Sequence, residues 1–237
     1  MIENCPDIPL PPDDLMIAVS GHANHADFGR SRTSGPTQML QDLRDAGIEP
    51  SKLVDVLDFG CGCGRLLAGW ILLGVPMRLQ GCDQNPALVS WCNDHIPGVI
   101  VQQNQIGKPL PFSSRSFDYI YLTSVFTHLT IAEQTRLVDE FRRILRRGGY
   151  VYVSFHGEHY YPTMFSRIPN GQTIFERDGF LIHEQHHEGG NDYWTLHSPQ
   201  RLLAIFTGFS PLKHFRSTER GPTDVAAWQD SMILRLK

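Results

Sequence analysis

Alternating apolar and polar runs along the chain predict a repeating order of strands and helices. Five short apolar runs have the length and composition of strands. They are Leu53 to Leu57, Met77 to Cys82, Val99 to Val101, the run that begins at Phe117, and Tyr150 to Phe155. Between the first two, Leu66, Trp70 and Leu73 recur on one face of a predicted helix. Strands that alternate with helices indicate an α/β fold with a mostly parallel sheet.

The two ends of the chain have weaker patterns. Residues 1–15 are rich in proline and acids, which predicts an irregular arm, and Pro36 opens a predicted helix that Gly47 ends. We therefore divide the chain into an N-terminal arm and cover, residues 1–36, and a main domain, residues 37–237. Within the main domain, residues 156–197 are predicted to be an inserted segment that faces the substrate.

Cap and turn signals place the remaining elements. Thr130 and Glu133 form a predicted capping box, and the helix that follows is closed by four arginines and Gly148. These arginines are Arg142, Arg143, Arg146 and Arg147. The later predicted elements are strands at Phe180 to Gln185 and Tyr193 to Leu196, a helix from Ser198, and strands at Leu212 to Arg216 and Ser231 to Leu236.

A glycine-rich turn joins the first strand to the first helix of the main domain. Gly60, Gly62 and Gly64 permit backbone conformations closed to other residues, and the helix N-terminus offers free N–H groups to a ligand. A tight turn without a ligand would explain the glycines equally well. However, Asp83 ends the next predicted strand about 20 residues later, where a carboxylate that binds ribose hydroxyls is expected.

The loop differs from a dinucleotide fingerprint, because Arg65 occupies the place of its third glycine. Asp58, Gly60, Gly62 and Gly64 instead resemble motif I of the class I, Rossmann-like S-adenosylmethionine-dependent methyltransferases, D/E-x-G-x-G-x-G. Two further segments resemble that family: Leu110 to Tyr121 contains its "LPF" and "FD" elements, and Leu145 to Tyr150 is similar to its "LRPGG" turn with Arg147 in place of proline.

The resemblance implies a seven-stranded, mostly parallel sheet with helices on both faces, an antiparallel edge and a small inserted hairpin or lid. It implies S-adenosylmethionine as the cofactor and an N-terminal cover over the site; a plain packed extension is the alternative to that cover. The implied cofactor-binding residues are Asp58, Gly60, Cys61, Gly62, Gly64, Asp83, Gln84, Asn104, Gln105 and Ser124. Asn104 stands where the family often has an acid that contacts adenine, and an ordinary loop residue is the alternative reading.

Methyl transfer needs a general base only when the acceptor arrives protonated. His156, at the end of the fifth predicted strand, and His128 are the predicted catalytic residues, with Glu158 and His159 as further candidates. A structural or surface role is the alternative for each histidine. We expect a polar small-molecule acceptor, for which a cyclic skeleton is one option, with oxygen as the favoured nucleophile. The identity of the acceptor and the oligomeric state stay open.

Charge and composition bear on other classes of function. The formal charge is −4, with 21 basic and 25 acidic residues, so we expect no nucleic-acid partner. Five cysteines without the spacing of a zinc site predict a reduced, cytoplasmic protein that has no metal. The acidic first residues do not resemble a signal peptide, and no apolar run is long enough to span a membrane, so we expect no membrane association. His183, Glu184 and His187 match H-E-x-x-H, but nearby glycines leave little room for the helix that a zinc hydrolase needs.

Two other classes of function stay open. One is a regulatory protein that binds S-adenosylmethionine without turnover. The other is a nicotinamide oxidoreductase, against which the missing third glycine argues.

Overall fold

A seven-stranded sheet forms the centre of the protein. The structure, a computed structural model, describes residues 7–166, 168–184, 188–190, 193–219 and 229–237. The strands of the sheet are β1 (Asp55–Phe59), β2 (Arg78–Asp83), β3 (Ile100–Gln103), β4 (Phe117–Leu122), β5 (Leu145–Phe155), β8 (Phe209–Phe215) and β9 (Asp230–Leu236). Their order is β3-β2-β1-β4-β5-β9-β8, and β9 is antiparallel to both of its neighbours.

A separate two-stranded hairpin, β6 (Phe180–Glu184) and β7 (Tyr193–His197), lies in the segment between β5 and the last helix. The predicted fold class is therefore confirmed: the protein has a Rossmann-like, mostly parallel sheet with an antiparallel edge and a small hairpin.

Helices cover both faces of the sheet. They are α1 (Asp13–Ser20), α2 (His25–Asp45), α3 (Arg65–Leu72), α4 (Pro86–His95), α5 (Ile131–Ile144), α6 (Tyr161–Met164), α7 (Gly171–Asp178) and α8 (Pro199–Ile205). Alternation along β4 separates two cores: Ile120 and Leu122 pack with α5 and α8, while Tyr119 and Tyr121 pack with α2 and α3. None of the described helices combines the length and apolar character needed to cross a bilayer.

The N-terminal prediction was wrong in two places. Helix α1 begins at Asp13, within the predicted irregular arm of residues 1–15, and α2 begins at His25, where the Asn24 side chain accepts the Asp27 N–H, and not at Pro36. Pro36 lies within α2 and has no N–H for the Arg32 carbonyl. Gly69 of α3 packs against that carbonyl so closely that a Cβ there would lie 1.8 Å from its oxygen. The boundary between residues 36 and 37 thus falls inside a helix, and the domain division stays a prediction.

The end of α5 was also predicted wrongly. The helix ends at Ile144, so Arg146 and Arg147 belong to β5 and do not close the helix. Arg146 pairs instead with Asp118, at 2.8 Å, and Asp118 accepts the backbone N–H of Asp55. These contacts tie the start of β5 to β4 and β1, which favours extended backbone over another helical turn.

Only half of the predicted capping box forms. The Thr130 hydroxyl accepts the Glu133 N–H, as predicted. The Glu133 carboxylate, however, binds Arg136 and lies near the Gly107 N–H, while the Thr130 N–H donates to Glu188 at 2.7 Å. The Thr130 N–H therefore pairs with Glu188, which is distant in the sequence, instead of with Glu133.

Candidate functional site

Polar residues converge where the parallel strands end. Neighbouring strands are about 4.8 Å apart, so residues at their carboxyl ends form a row along one edge of the sheet. In strand order they are Asn104 after β3, Asp83 on β2, Gly60 after β1, Ser124 after β4, His156 after β5 and Gln229 before β9. All six line one cavity of about 590 Å³, a size within the range of small-molecule sites.

The glycine loop is shaped by its backbone conformation and by close neighbours. Gly60, Gly62 and Gly64 all have positive φ, at 72°, 56° and 73°. A Cβ on Gly60 would lie 2.5 Å from a methyl group of Val125. Gly64 caps α3, and a Cβ there would meet Ile96, so its glycine is required by packing against α4 and not by the cavity. The Cys61 side chain is buried and also lines the cavity.

Two carboxylates flank this loop. Asp83 accepts the N–H groups of Gly62 and Asn85, both at 2.9 Å, and burial raises the pKa of Asp83. Burial also raises the pKa of Asp58 to about 8, a shift that nearby Tyr121 partly opposes. Within the described part of the chain, Asp58 Oδ2 is buried without a hydrogen-bond partner. Both acids line the cavity.

One end of the cavity has an unmatched acceptor. Asn104 Oδ1 is buried, and no described residue donates a hydrogen bond to it. Gln84 and Ile106 line the same end. Gln105 is exposed and is not among the residues that line the cavity, so the predicted contact of its side chain with a cofactor has no geometric support in this structure.

Helix α1 covers the glycine loop. Its residues Ala18, Val19 and Ser20 line the cavity, and a Cβ on Gly62 would lie 2.9 Å from a methyl group of Val19. The chain before α1 is held by Arg32, which donates to the carbonyl oxygens of Ile8 and Pro9 at 2.7 Å. The structure therefore places part of the N-terminal arm directly over the site.

Arg65 is a cavity residue that the sequence did not single out as a ligand. It donates to the Ser31 hydroxyl and its guanidinium lies 5.5 Å from the centre of the Phe28 ring. Burial lowers its pKa, yet arginine remains charged in proteins. A half-buried cation thus lies at the cavity next to the glycine loop. Its position directly after Gly64 was the signal in the sequence that could have identified it.

The opposite end of the cavity carries both predicted catalytic histidines. His156 Nδ1 lies 3.0 Å from the Thr195 carbonyl oxygen, and its ring stacks on Tyr160 with centroids 4.0 Å apart. Burial lowers the pKa of His156 to about 3, so the ring is neutral. His128 Nδ1 lies 2.8 Å from the Tyr193 carbonyl oxygen. Glu158 and His159 are exposed and are not among the residues lining the cavity.

Gln229 was missed by sequence reasoning. It lies immediately before β9 and contacts Ser124, Ser154 and His156. No motif marks it, because its partners are at least 73 positions away in the sequence. Trp194 and Glu133 also line the cavity without having been assigned a role there from sequence.

A short strap from the inserted segment lines the cavity. The Gly189 N–H donates to the His128 carbonyl at 2.8 Å, and the Gly189 carbonyl accepts from Gln84 Nε2 at 3.0 Å. Glu188 is anchored to Thr130 at 2.7 Å. Residues 188–190, the strap, therefore bridge the loop after β4 and the loop after β2.

The H-E-x-x-H motif lies in a different setting from that of a zinc hydrolase. His183 and Glu184 belong to strand β6, whereas that chemistry needs both histidines on one helix. His187 lies outside the described residues. Among the residues that the structure describes, no group of three or more potential ligands is placed to hold a metal ion.

Comparison with known proteins gives one family match. Residues 57–153 match the family model described as "Methyltransferase domain". This span runs from β1 to β5 and contains the glycine loop, Asp83, Asn104 and Ser124.

Three solved structures are similar in fold. PH0226 protein from Pyrococcus horikoshii OT3 has a TM-score of 0.64 and 15% identity, over 93% of this chain and 95% of its own. A methyltransferase from Methanosarcina mazei has a TM-score of 0.58 and 18% identity, over 77% and 92%. The amino pentose methyltransferase CalS10 from Micromonospora echinaspora, solved with S-adenosylmethionine bound, has a TM-score of 0.59 and 14% identity, over 90% and 94%.

Proposed function

We propose that this protein, an S-adenosylmethionine-dependent methyltransferase whose catalytic domain belongs to the class I, Rossmann-like family, transfers the cofactor's methyl group to a small polar molecule. The observation that carries the proposal is the single cavity that joins the glycine loop and Asp83 to His156 and Gln229. A cofactor at the glycine loop and Asp83 would lie beside an acceptor at His156 and Gln229 in this cavity.

The residues at the cofactor end fit S-adenosylmethionine. Asp83 can accept hydrogen bonds from ribose hydroxyls, and the unmatched Oδ1 of Asn104 suits the adenine amino group. Gly60 leaves the loop open to close approach, and Arg65 offers a positive charge to the carboxylate of the methionine part. Asp58, Cys61, Gly62, Gln84 and Ser124 complete the proposed cofactor wall.

When bound, the cofactor supplies a methyl group on a sulfonium, ready for in-line displacement. The work of this chain is then to orient the acceptor and to exclude water. The strap at Gly189 and the cover at Val19 bound the cavity on two sides. They favour an acceptor small enough to lie beneath them, and the amino pentose substrate class named for CalS10 agrees with a polar, cyclic molecule.

We assign proton handling at the acceptor end to His156 and His128. His156 is neutral, so its free nitrogen can accept the hydrogen bond of an acceptor hydroxyl and orient an oxygen lone pair towards the methyl group. His128 lies on the same wall and is the alternative group to receive the proton. This arrangement supports oxygen as the nucleophile.

Two broader assignments are part of the proposal. The four cysteines in the described part of the chain are free thiols, which supports a reducing, cytoplasmic location. The net charge of −4 gives little attraction for a phosphate backbone, which supports a small-molecule acceptor over nucleic acid.

The test combines binding with turnover. Calorimetric titration with S-adenosylhomocysteine measures the cofactor site directly. A panel of alcohols, amines and carboxylates on the same carbon skeletons, each incubated with S-adenosylmethionine labelled in the methyl group, then measures transfer. We expect binding and label transfer to at least one alcohol. Binding with no transfer to any member would support a regulatory binding protein, and no binding would overturn the cofactor assignment.

A further inference from the structure

Four side chains from three neighbouring strand ends form a connected hydrogen-bond network at the acceptor end. The Ser124 N–H donates to Ser154 Oγ at 2.8 Å, and Ser154 Oγ donates to Gln229 Oε1 at 2.6 Å. Gln229 Nε2 in turn donates to Ser124 Oγ at 2.9 Å and lies 3.4 Å from His156 Nε2. This network, the Gln229 circuit, joins the loops after β4 and β5 to the start of β9.

The direction of each hydrogen bond in the circuit follows from the contact between His156 and the Thr195 carbonyl. The Thr195 carbonyl can only accept, so His156 Nδ1 must carry the proton. A neutral ring has one N–H, which leaves Nε2 with a lone pair. Gln229 must therefore turn its NH2 group, and not its oxygen, towards His156. Its oxygen then faces Ser154, whose hydroxyl must donate.

The Gln229 circuit determines the hydrogen-bonding capacity of two groups on the cavity wall, the Ser124 hydroxyl and His156 Nε2. Ser124 Oγ already accepts from Gln229, so its own hydrogen is available to a ligand. Ser124 has a φ of 59°, which is uncommon for a residue other than glycine, and its backbone N–H is anchored to Ser154. The contact from Gln229 to His156 is long, so Nε2 can accept a shorter hydrogen bond from a ligand.

We propose that Gln229 is a specificity-determining positioning residue, which makes the wall present one donor, the Ser124 O–H, and one acceptor, His156 Nε2, matched to a neutral hydroxyl group. A hydroxyl both donates and accepts and satisfies the two groups together. A carboxylate can only accept and would face the Nε2 lone pair without a proton between them. The inference rests on the proposed function, because it assigns this wall to the acceptor.

The decisive variant is Gln229→Glu, which keeps the size of the side chain and replaces the NH2 donor by an acceptor. Its carboxylate should favour a proton on His156 Nε2 and should turn the Ser124 hydrogen away from the cavity. Gln229→Met, which removes both polar atoms without adding charge, is the second variant in case the buried carboxylate prevents folding. Gln200→Glu, exposed in the first turn of α8, is the matched control.

The readout is the nitrogen NMR spectrum of His156 in the complex with S-adenosylhomocysteine, assigned by the loss of its signals in His156→Gln. In the wild type and in Gln200→Glu we expect a neutral ring with the proton on Nδ1. In Gln229→Glu we expect both nitrogens to be protonated at neutral pH. In Gln229→Met the ring should stay neutral, with an altered Nε2 shift because its donor is gone. A role in folding alone would not produce this pattern.

Two small probes then test selectivity. In the wild type, 2-propanol should perturb the Nε2 signal at concentrations on the order of tenfold lower than acetate. Gln229→Glu should weaken the response to 2-propanol, because a protonated Nε2 has no lone pair to accept the alcohol's hydrogen. A proton on Nε2 in the wild type, a spectrum unchanged by Gln229→Glu and Gln229→Met, or a wild-type preference for acetate would each overturn the inference. Failure of the wild type and Gln200→Glu to bind S-adenosylhomocysteine would instead overturn the proposed function.

Discussion

Asp83 Oδ2 accepts a hydrogen bond of 2.9 Å from the backbone N–H of Gly62, which ties the end of β2 to the glycine loop after β1. The second oxygen of Asp83 accepts the Asn85 N–H at the start of α4. One carboxylate thus fixes the loop and the next helix start while it lines the cavity. A residue proposed to bind the cofactor also organises the backbone around it.

We expect Asp83→Asn to weaken S-adenosylhomocysteine binding by roughly tenfold or more, because a charge-assisted contact to the ribose becomes neutral. Calorimetric titration measures the loss. Asp94→Asn, which changes an exposed acid on α4, is the matched control. Equal affinity in wild type and Asp83→Asn would contradict the proposed ribose contact.

Gly60→Ala tests whether the glycine loop needs close approach at Gly60, and Gly98→Ala is its control. Both Gly60 and Gly98 have positive φ, but a Cβ on Gly98 has no neighbour within 4 Å, whereas on Gly60 it would meet Val125 at 2.5 Å. Gly98→Ala should therefore lose about 1 kcal/mol of unfolding free energy from strain alone. Gly60→Ala should lose more and should also lose cofactor affinity. Urea unfolding and calorimetry measure the two effects, and identical behaviour of the variants would argue against the close approach.

Asp58 should make the ligand-free protein less stable as pH rises. Burial raises the pKa of Asp58 to about 8, against about 4 in an unfolded chain. Between these values the folded state holds a proton that the unfolded state has lost, so the unfolding free energy falls with pH by about 1 kcal/mol per unit. Asp58→Asn should remove this part of the fall. Urea unfolding at pH 5 and pH 8 compares the slopes, and parallel slopes would contradict the burial of a protonated Asp58.

His156 and His197 should oppose folding in acid. Burial lowers the pKa of each to about 3, whereas the unfolded chain takes up the protons near pH 6.5. The stability is therefore complete above pH 6.5 and is lost as pH falls towards 3. His156→Gln should reduce the loss of unfolding free energy between pH 7 and pH 5, and adding His197→Gln should reduce it further. An unchanged loss would show that these rings become protonated in the folded state.

The strap should slow cofactor release. Glu188→Ala removes the carboxylate that accepts the Thr130 N–H at 2.7 Å, and so releases one anchor of the strap without changing a residue of the proposed cofactor wall. We expect dissociation of S-adenosylhomocysteine to be faster by roughly fivefold, since one hydrogen bond contributes about 1 kcal/mol. Stopped-flow displacement measures the rate, with the exposed Gln200→Ala as the control. Equal rates in both variants would mean that the strap does not limit release.

Local patterns predicted the elements that carry the cofactor end of the site. The apolar runs located β1 to β4 to within about two residues, whereas β5 begins at Leu145 and not at the predicted Tyr150. The glycine loop with Asp58 and Asp83 followed from spacing along one strand-helix-strand unit. Such features depend on neighbours close in sequence. Prediction failed at Pro36 and at Arg146, where Gly69 in one case and Asp118 in the other supply contacts from distant segments.

The sequence by itself therefore determined the α/β order of elements, the glycine loop and the carboxylates beside it, because strand periodicity and turn chemistry are local properties. The tertiary structure alone decided how the proposed acceptor end is assembled around the histidines. Gln229 reaches Ser124 across 105 positions because β9 inserts beside β5, and Gly189 reaches Gln84 across the same separation because the inserted segment folds back over the sheet edge. Side-chain partners and the direction of their hydrogen bonds are fixed only when such distant segments pack together.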